Sequence, residues 1–297
     1  MKTFYSNGKL LLTGEYVVLD GATALAIPTK YGQGLTVEKS EKEGIHWKSL
    51  DEKGEVWFEI NFQINDTVSE QENKVLYQLL QILREAKKIN PSFLEKEKNW
   101  KISTKLNFST SWGLGTSSTL INNIAQWAQV DAFQLLQKSF GGSGYDIAAA
   151  QNNEPILYSL IEGKPKVEKI RLNWNFTDQL FFVHLNKKQD SKEGIKRYHS
   201  KLISTSVISK ISQLASLLIE VKTLSEFETI ISDHETLISK MIQLPTIKER
   251  LFQDYPNVLK SLGAWGGDFI LATGNNKGYF TEKGFTTIIP FGEMILK

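Results

Sequence analysis

Three short glycine-containing segments interrupt the chain where one hydrophobic pattern gives way to another. They are GLGTSS at residues 113–118, GGSGYDIAAA at 141–150 and GAWGGDF at 263–269. Glycine adopts positive φ angles without steric cost, so each segment can turn sharply and bring main-chain N–H groups close to a ligand. Any fold for this sequence has to place its strands and helices around these three glycine segments.

The chain between the glycine segments switches between strand and helix patterns. Apolar and β-branched runs predict a strand at residues 10–20 and an antiparallel meander over residues 34–62. The period then becomes that of an amphipathic helix at residues 70–90, and a second helix is predicted at 117–130. Near the end, the alternating run GYFTEKG at residues 278–284 predicts a strand.

Composition excludes several classes of protein. The 297 residues carry a formal charge of +2, which gives no support to a nucleic-acid or membrane-surface protein. The absence of cysteine excludes disulfides, thiolate metal sites and a cysteine nucleophile. No run approaches the roughly 18 apolar residues of a membrane helix, and the N-terminus lacks a signal-peptide pattern. We therefore expect a cytoplasmic protein with neither nucleic acid nor membrane as a partner.

The first glycine segment lies between a predicted strand and a predicted helix. A helix N-terminus offers unpaired N–H donors and a partial positive charge, so the segment can bind a phosphate. Its hydroxyls can contact phosphate oxygens or a phosphate-bound Mg²⁺, although such residues often only cap a helix. Neither a Walker A loop nor a complete dinucleotide-binding fingerprint is present.

The second and third segments each allow a functional and a purely structural interpretation. Asp146 opens a predicted helix, where the helix dipole alone favours an acid by about 0.3–1 kcal/mol. The glycines of GAWGGDF indicate a close approach to a ligand or another segment, or simply the end of a helix and a turn. The residues of either segment alone leave both interpretations open.

Four motifs taken in chain order resemble those of the GHMP kinase superfamily, which includes galactokinase, homoserine kinase, mevalonate kinase and phosphomevalonate kinase. SNGKLLLTGEYVVLDG at residues 6–21 resembles the opening motif, and GLGTSS resembles the phosphate loop. GSGYDIAAA is most similar to the corresponding segment of phosphomevalonate kinases, and GAWGGDF resembles their C-terminal glycine loop. The resemblance spans residues 6–269.

This resemblance implies a two-domain α+β kinase that uses ATP and Mg²⁺. The expected domains are a ribosomal-protein-S5-like domain at residues 1–176 and a ferredoxin-like α/β-plait domain at 177–297. The active site is expected in the cleft between them, with a small-molecule substrate bound by a monomer or homodimer.

The resemblance also assigns roles to individual residues. Asp146 matches the acid that receives or orients the proton of the accepting oxygen, and Lys9 matches the lysine that pairs with it. A neighbouring lysine would lower the pKa of that carboxyl and keep it ionised. Ser117 matches the Mg²⁺-associated serine. The expected ATP contacts are Gly113, Leu114, Gly115, Thr116, Ser117 and Ser118. The expected acceptor contacts are Glu15, Ser143, Gly144, Lys188, Ser191, Gly266 and Gly267.

Three of the positions that depart from the family pattern bear on the substrate or on the metal. Tyr16 stands where mevalonate kinases carry a histidine, and Trp265 replaces a glycine of the third segment. Leu135 stands where mevalonate kinases carry a glutamate that binds Mg²⁺. Because Mg²⁺ commonly keeps several water ligands, its binding can rest on Ser117, the nucleotide phosphates and water.

The leading hypothesis is ATP-dependent phosphorylation of phosphomevalonate or mevalonate in isoprenoid precursor biosynthesis. GSGYDIAAA and Tyr16 favour phosphomevalonate slightly. A diphosphomevalonate decarboxylase is one alternative. A non-catalytic ligand-binding protein of the same fold is another, motivated by Trp265 and Leu135. A structural protein of similar fold is disfavoured because Lys9, Ser117 and Asp146 are all present.

Overall fold

The computed structural model of the protein describes residues 1–95, 99–187, 198, 203–263, 265 and 267–296. The chain divides into two compact units with separate cores. The first unit comprises Met1–Gly8, Tyr31–Thr110 and Gly115–Gln151, and the second comprises Lys9–Lys30, Ser111–Leu114 and Asn152–Lys297. The domain boundary expected between residues 176 and 177 stays a prediction.

Runs of strands and runs of helices follow one another along the described residues. The strands are β1 Lys2–Leu11, β2 Ala24–Lys39, β3 Ile45–Leu50, β4 Val56–Phe62, β5 Trp100–Leu106, β6 Ile156–Ile161, β7 Lys164–Lys169, β8 Leu180–His184, β9 Leu259–Ser261, β10 Phe269–Thr273 and β11 Ile288–Pro290. The helices are α1 Lys74–Ile89, α2 Thr116–Ala128, α3 Ala132–Ser139, α4 Tyr145–Ala150, α5 Thr205–Glu220, α6 Leu224–Ile242, α7 Ile247–Leu251, α8 Lys277–Glu282 and α9 Phe291–Met294. Within these ranges, no helix combines the length and the apolar character needed to cross a membrane.

The first unit contains a mixed sheet in the order β4-β3-β5-β2, with β1 also paired to β2. Strand β5 runs parallel to β3 and antiparallel to β2. It therefore separates β2 from β3, and the predicted meander over residues 34–62 is wrong in its strand order. Alternating burial identifies the face of each strand that meets the core, but it does not specify the neighbouring strand.

The helices of the first unit pack on one another and on the sheet. Helix α1 begins at Asn73, whose side chain accepts a hydrogen bond from the Leu76 N–H, and it confirms the helix predicted at residues 70–90. Its buried face is formed by Leu76, Leu79, Leu80, Ile82, Leu83 and Ala86. Complete burial of a leucine such as Leu83 stabilises a fold by about 1.5–3 kcal/mol. Helix α2 confirms the helix predicted from residue 117.

The second unit contains an antiparallel sheet in the order β11-β8-β10-β9. Every residue of β8 and β10 is buried, which accounts for their continuous apolar sequences, apart from the terminal His184 and Thr273. The β6-β7 hairpin also belongs to this unit and pairs with the first residues of β2, Ala24 to Ala26.

Two strand predictions are wrong for local reasons. Strand β1 ends at Leu11, and Val17–Asp20 forms a 3₁₀ turn after the left-handed residues Gly14 and Tyr16. The segment GYFTEKG falls largely in helix α8, where Phe280 is completely buried against other aromatic rings. Packing of one aromatic side chain there overrides the strand propensity of its neighbours.

Asn123 provides a test of the first unit's core. Its Nδ2 donates to the Gln33 carbonyl at 2.9 Å, and its Oδ1 accepts from the Ser6 hydroxyl at 2.8 Å. We expect Asn123→Ala to lower the free energy of unfolding by about 2–4 kcal/mol, because two buried groups lose their partner. Urea unfolding followed by tryptophan fluorescence measures this loss.

The matched control is Asn61→Ala, which removes an exposed amide that donates to the Glu43 carbonyl. We expect a change within about 0.5 kcal/mol there. Equal losses in the two variants would contradict a structural role for the Asn123 amide.

Candidate active site

Lys9 lies against the loop that opens the first glycine segment. This lysine is near the end of strand β1, and its Nζ donates to the Gly113 carbonyl at 2.9 Å. Its main-chain N–H donates to the Leu114 carbonyl at 3.0 Å. Both the backbone and the side chain of Lys9 are therefore tied to this loop, which places a positive charge beside it.

The third glycine segment meets the first one within the second unit. Gly113 has a φ of +66°, and a Cβ atom built on it would lie 2.4 Å from the Asp268 carboxylate. Asp268 itself has a left-handed φ of 54°. Its N–H donates to the Lys187 carbonyl at 2.7 Å, and its carbonyl accepts from the Leu185 N–H at 2.8 Å. The glycine at position 113 is thus required by the close approach of the carboxylate.

Strands β8 and β10 also anchor this loop. The Trp112 ring packs edge-to-face on Phe269 with centroids 5.4 Å apart. Nε2 of His184 lies 3.2 Å from the Ser111 carbonyl, and the imidazole packs on Phe269 at 5.1 Å. Sequence reasoning assigned no role to His184. Its position at the end of the buried run FFVH is the signal that could have drawn attention to it.

Helix α2, in the first unit, starts immediately after the loop. Its N-cap is Gly115, with a φ of 94°, so no side chain caps the helix. The Ser118 hydroxyl donates to the Gly115 carbonyl at 2.8 Å, while Thr116 is half-buried and Ser117 is exposed. The hydroxyls of Thr116, Ser117 and Ser118 therefore do not cap helix α2, which was the structural alternative considered from the sequence. The first N–H groups of the helix remain available to an anion.

Asp146 begins a second glycine-capped helix of the first unit. The N-cap of α4 is Gly144, with a φ of 85°, and Asp146 is the second helical residue. Its Oδ1 accepts from the Ile147 N–H at 3.0 Å, and the side chain is half-buried. Ser143 is buried just before the helix. The apolar residues after Asp146 anchor the helix, and they hold the carboxylate at its N-terminal end.

The environment of α3 does not supply acidic metal ligands. Leu135 is completely buried, and Gln137 Nε2 donates to the Gly142 carbonyl at 2.7 Å. Across the residues that the structure describes, no group of three or more His, Asp or Glu side chains is arranged to hold a metal ion. Because Mg²⁺ commonly keeps several water ligands, the exposed hydroxyl of Ser117 is compatible with a bound Mg²⁺.

Glu15 belongs to a buried charge cluster in the second unit. Its Oε1 accepts from Lys260 Nζ, which also lies 3.2 Å from Glu235 Oε2. Glu235 accepts from the Ser261 N–H at 3.1 Å and from its hydroxyl at 2.6 Å. His234 Nε2 lies 3.5 Å from Glu15 Oε2. Sequence reasoning missed Lys260, Glu235 and His234, because none of them lies in a recognisable motif.

The pKa values in this cluster respond first to burial. Burial and, to a smaller extent, Glu235 raise the pKa of Glu15 to about 7, against the lowering effect of Lys260. Burial also raises the pKa of Glu235. Desolvation lowers the pKa of Lys260, but the two carboxylates outweigh it and the net shift is upward. Burial, with a smaller contribution from Lys260, holds the pKa of His234 well below its usual value.

Trp265 packs into an apolar cluster of the second unit. Tyr16 and Tyr198, which stack with centroids 5.8 Å apart, belong to the same cluster. Trp265 adopts a left-handed φ of 52°, and its ring lies 6.0 Å from Lys260 Nζ. The indole is thus part of the core beside the charge cluster. Gly267 is buried two residues later, whereas the predicted site residues Lys188, Ser191 and Gly266 lie outside the described residues.

The protein shares its α+β fold with solved structures of several small-molecule kinases, in agreement with the fold predicted from the sequence. The mevalonate kinase of Methanococcus jannaschii is similar over 97% of this chain and 96% of its own, with a TM-score of 0.71 and 15% identity. Streptococcus pneumoniae phosphomevalonate kinase, in complex with phosphomevalonate and AMPPNP, is similar over 97% of this chain and 99% of its own, with a TM-score of 0.71 and 14% identity. Lactococcus lactis galactokinase, in complex with galactose, covers 94% of this chain and 87% of its own, with a TM-score of 0.61 and 14% identity.

These similarities concern the fold. No protein-family model matches the sequence, and no curated protein matches it significantly. Identities of 14–15% do not specify the acceptor that a kinase phosphorylates.

Gly113 and Gly141 form a matched pair for testing the contact with Asp268. Alanine at either position has to adopt a positive φ, 66° or 70°, which costs roughly 1–2 kcal/mol. At Gly113 the new Cβ also meets the carboxylate at 2.4 Å, whereas at Gly141 it meets nothing within 4 Å. We expect Gly113→Ala to lower the melting temperature clearly more than Gly141→Ala. Equal shifts in scanning fluorimetry would contradict the close approach.

Proposed function

We propose that the protein is an ATP-dependent small-molecule kinase whose acceptor is phosphomevalonate or mevalonate. The observation that carries this proposal is the attachment of Lys9 to the carbonyls of Gly113 and Leu114, immediately before the glycine-capped N-terminus of α2. Proteins of this fold that are similar over nearly the whole chain include mevalonate and phosphomevalonate kinases. One of them is in complex with AMPPNP, which supports ATP as the phosphoryl donor.

The loop from Gly113 to Ser118 is the proposed site for the ATP phosphates. Uncapped N–H groups at the start of α2 would donate to phosphate oxygens, and the helix dipole would favour their negative charge. Ser117, which is exposed, would contribute its hydroxyl to the phosphate-bound Mg²⁺. When bound, the ion neutralises part of the phosphate charge. The Lys9 ammonium would offset further charge on the transferring phosphoryl group.

Asp146 is the proposed proton acceptor. Phosphoryl transfer forms a bond between the acceptor oxygen and the γ-phosphorus and breaks the bond between that phosphorus and the bridging oxygen, which leaves with ADP. The acceptor oxygen reacts through its lone pair, and any proton it carries passes to the carboxylate or is oriented by it. Asp146 lies in the first turn of α4, where the helix dipole favours an acidic side chain.

Apart from Glu15, which is completely buried, the proposed acceptor contacts are those expected from the resemblance. Ser143 and Gly144 immediately precede α4, and Gly267 precedes Asp268. The preference for phosphomevalonate over mevalonate rests on the segment GSGYDIAAA and on Tyr16, where mevalonate kinases carry a histidine. Lys188, Ser191 and Gly266 complete the proposed set.

A coupled ADP-release assay with mevalonate, phosphomevalonate, homoserine and galactose tests the proposal. We expect turnover of one of the first two acceptors. Asp146→Asn and Lys9→Met should each reduce kcat by about 100-fold or more, because each removes a group that acts on the reacting atoms. Asp233→Asn, an exposed carboxylate on α6, is the control and should leave kcat unchanged. Turnover of a non-isoprenoid acceptor alone, or full activity in Asp146→Asn, would disprove the assignment.

The same set of ligands separates the alternatives. Release of carbon dioxide from diphosphomevalonate would indicate a decarboxylase of the same fold. Tight nucleotide binding without turnover would indicate a non-catalytic protein. The absence of an acidic metal cluster among the described residues is the observation that keeps this second alternative open.

A further inference from the structure

Lys260 lies wholly inside the second unit, and its ammonium group has three acceptors. They are Glu15 Oε1, Glu235 Oε2 and the Ser261 carbonyl. An ammonium group has three N–H donors, so no donor remains for a ligand. Each acceptor comes from a different place in the chain: the turn after β1, helix α6 and strand β9. Lys260 therefore holds parts of the fold together and does not bind substrate.

The charges of this cluster do not balance when both carboxylates are ionised. One ammonium then faces two carboxylates, and the buried region carries a net negative charge. The relative exposures of Lys260, Glu15 and Glu235 are 0%, 1% and 4%, so solvent screens little of this charge. Burying an unpaired charge costs several kcal/mol. One proton taken up by the cluster removes this cost.

The hydrogen bonds around His234 show where that proton belongs. Nε2 of His234 accepts the Gly14 N–H at 3.0 Å, so this nitrogen carries no proton of its own. Oε2 of Glu15 lies 3.5 Å from the same nitrogen and has no hydrogen-bond partner among the described residues. If Glu15 is ionised, its Oε2 and the Nε2 of His234 are two hydrogen-bond acceptors that face each other with no proton between them. A proton on Oε2 removes this repulsion.

We propose that Lys260, Glu235 and His234 are positioning residues that hold the Gly14–Glu15 turn, and that Glu15 keeps its proton on Oε2 facing His234. Glu15 then acts through the shape of the turn and not as a contact of the acceptor. The link to catalysis rests on the proposed kinase function, because this turn follows the strand that carries Lys9. The protonation of the cluster does not depend on that function.

The titratable and charged groups that face Glu15 are Lys260 on β9 and Glu235 and His234 on α6. Burial raises the pKa of Glu15 from its ordinary 4.5 to about 7, against the lowering effect of Lys260. Between these two values the folded protein binds a proton that the unfolded chain does not. Stability from this group is therefore full at low pH and falls as the pH rises toward 7.

The decisive variant is Glu15→Gln, because its neutral amide can still accept from Lys260 and, like the protonated acid, places no negative charge against His234. We expect the melting temperature of the wild type to fall between about pH 5 and about pH 8. The melting temperature of Glu15→Gln should decrease less over the same pH range, because the variant has no carboxyl group at position 15 to lose a proton. At about pH 8 the variant should be at least as stable as the wild type. The control Asp233→Asn, one residue before His234 and exposed, should follow the wild type.

A large loss of stability in Glu15→Gln at every pH would overturn the proposal. That loss is the usual result of breaking a buried ion pair, about 3–5 kcal/mol. The proposal predicts its absence here because Glu235 still neutralises Lys260.

Lys260→Met gives an independent comparison. It leaves two buried carboxylates without a cation, so we expect a larger loss of melting temperature at about pH 8 than at about pH 5. The double variant Lys260→Met, Glu235→Gln should recover stability, because Glu15 is then the one carboxyl group left in the cluster and is neutral when it is protonated. Additive losses in the double variant would overturn the proposal, and where Lys260→Met does not fold the Glu15→Gln comparison decides it.

An activity measurement separates positioning from direct contact. If Glu15 acts through the turn, kcat/KM of the wild type should change near pH 7, and Glu15→Gln should lose that step. A rise in the acceptor KM of Glu15→Gln that is equal at all pH values would show direct contact and overturn positioning. A protein without kinase activity would disprove the proposed function, while the melting-temperature comparisons would still test the cluster.

Discussion

The close approach of the Asp268 carboxylate to Gly113 is the contact on which the candidate site of the second unit depends. Because a Cβ atom at position 113 would collide with that carboxylate, only glycine lets the loop lie where Lys9 can reach its carbonyl oxygens. Trp112 and His184 then hold the same loop on β8 and β10. The positions of Lys9, Gly113 and Asp268 therefore all depend on the absence of a Cβ atom at position 113. A displacement of any one of these residues would displace the other two.

Two helices of the first unit begin with the same kind of N-cap. Helices α2 and α4 both begin after a left-handed glycine, Gly115 or Gly144, in place of a capping side chain. A glycine cap leaves the first N–H groups of the helix to whatever approaches from outside. At α2 this suits a phosphate, and at α4 the dipole stabilises the carboxylate of Asp146. The same backbone geometry is therefore compatible with both proposed roles, phosphate binding at α2 and proton acceptance at α4.

Sequence reasoning succeeded where the chemistry is local and failed where it depends on distant partners. Glycine segments and apolar periodicity are local, so the order of four motifs predicted the fold, and helix α1 was found at nearly its observed bounds. The insertion of β5 between β2 and β3 depends on pairing that no single strand encodes. Lys260 is the clearest failure, because a lysine between Leu259 and Ser261 has nothing in its own neighbourhood to show that it is buried. Its burial depends on contacts with Glu15, which is 245 residues away along the chain, and with Glu235, which is 25 residues away.

A buried ion cluster is weak evidence for stability, since apolar residues of similar volume often stabilise a core as well or better. Its presence beside Trp265 and Tyr16 therefore needs a different explanation. Tyr16 and Trp265 both adopt left-handed backbone angles that bulky residues avoid, and such strain persists only where the surroundings fix the chain. Directional bonds from Lys260 and His234 to the turn that includes Glu15 supply that restraint, which apolar contacts would not. The cost of burying the charges is consistent with a segment whose precise shape matters more than its contribution to overall stability.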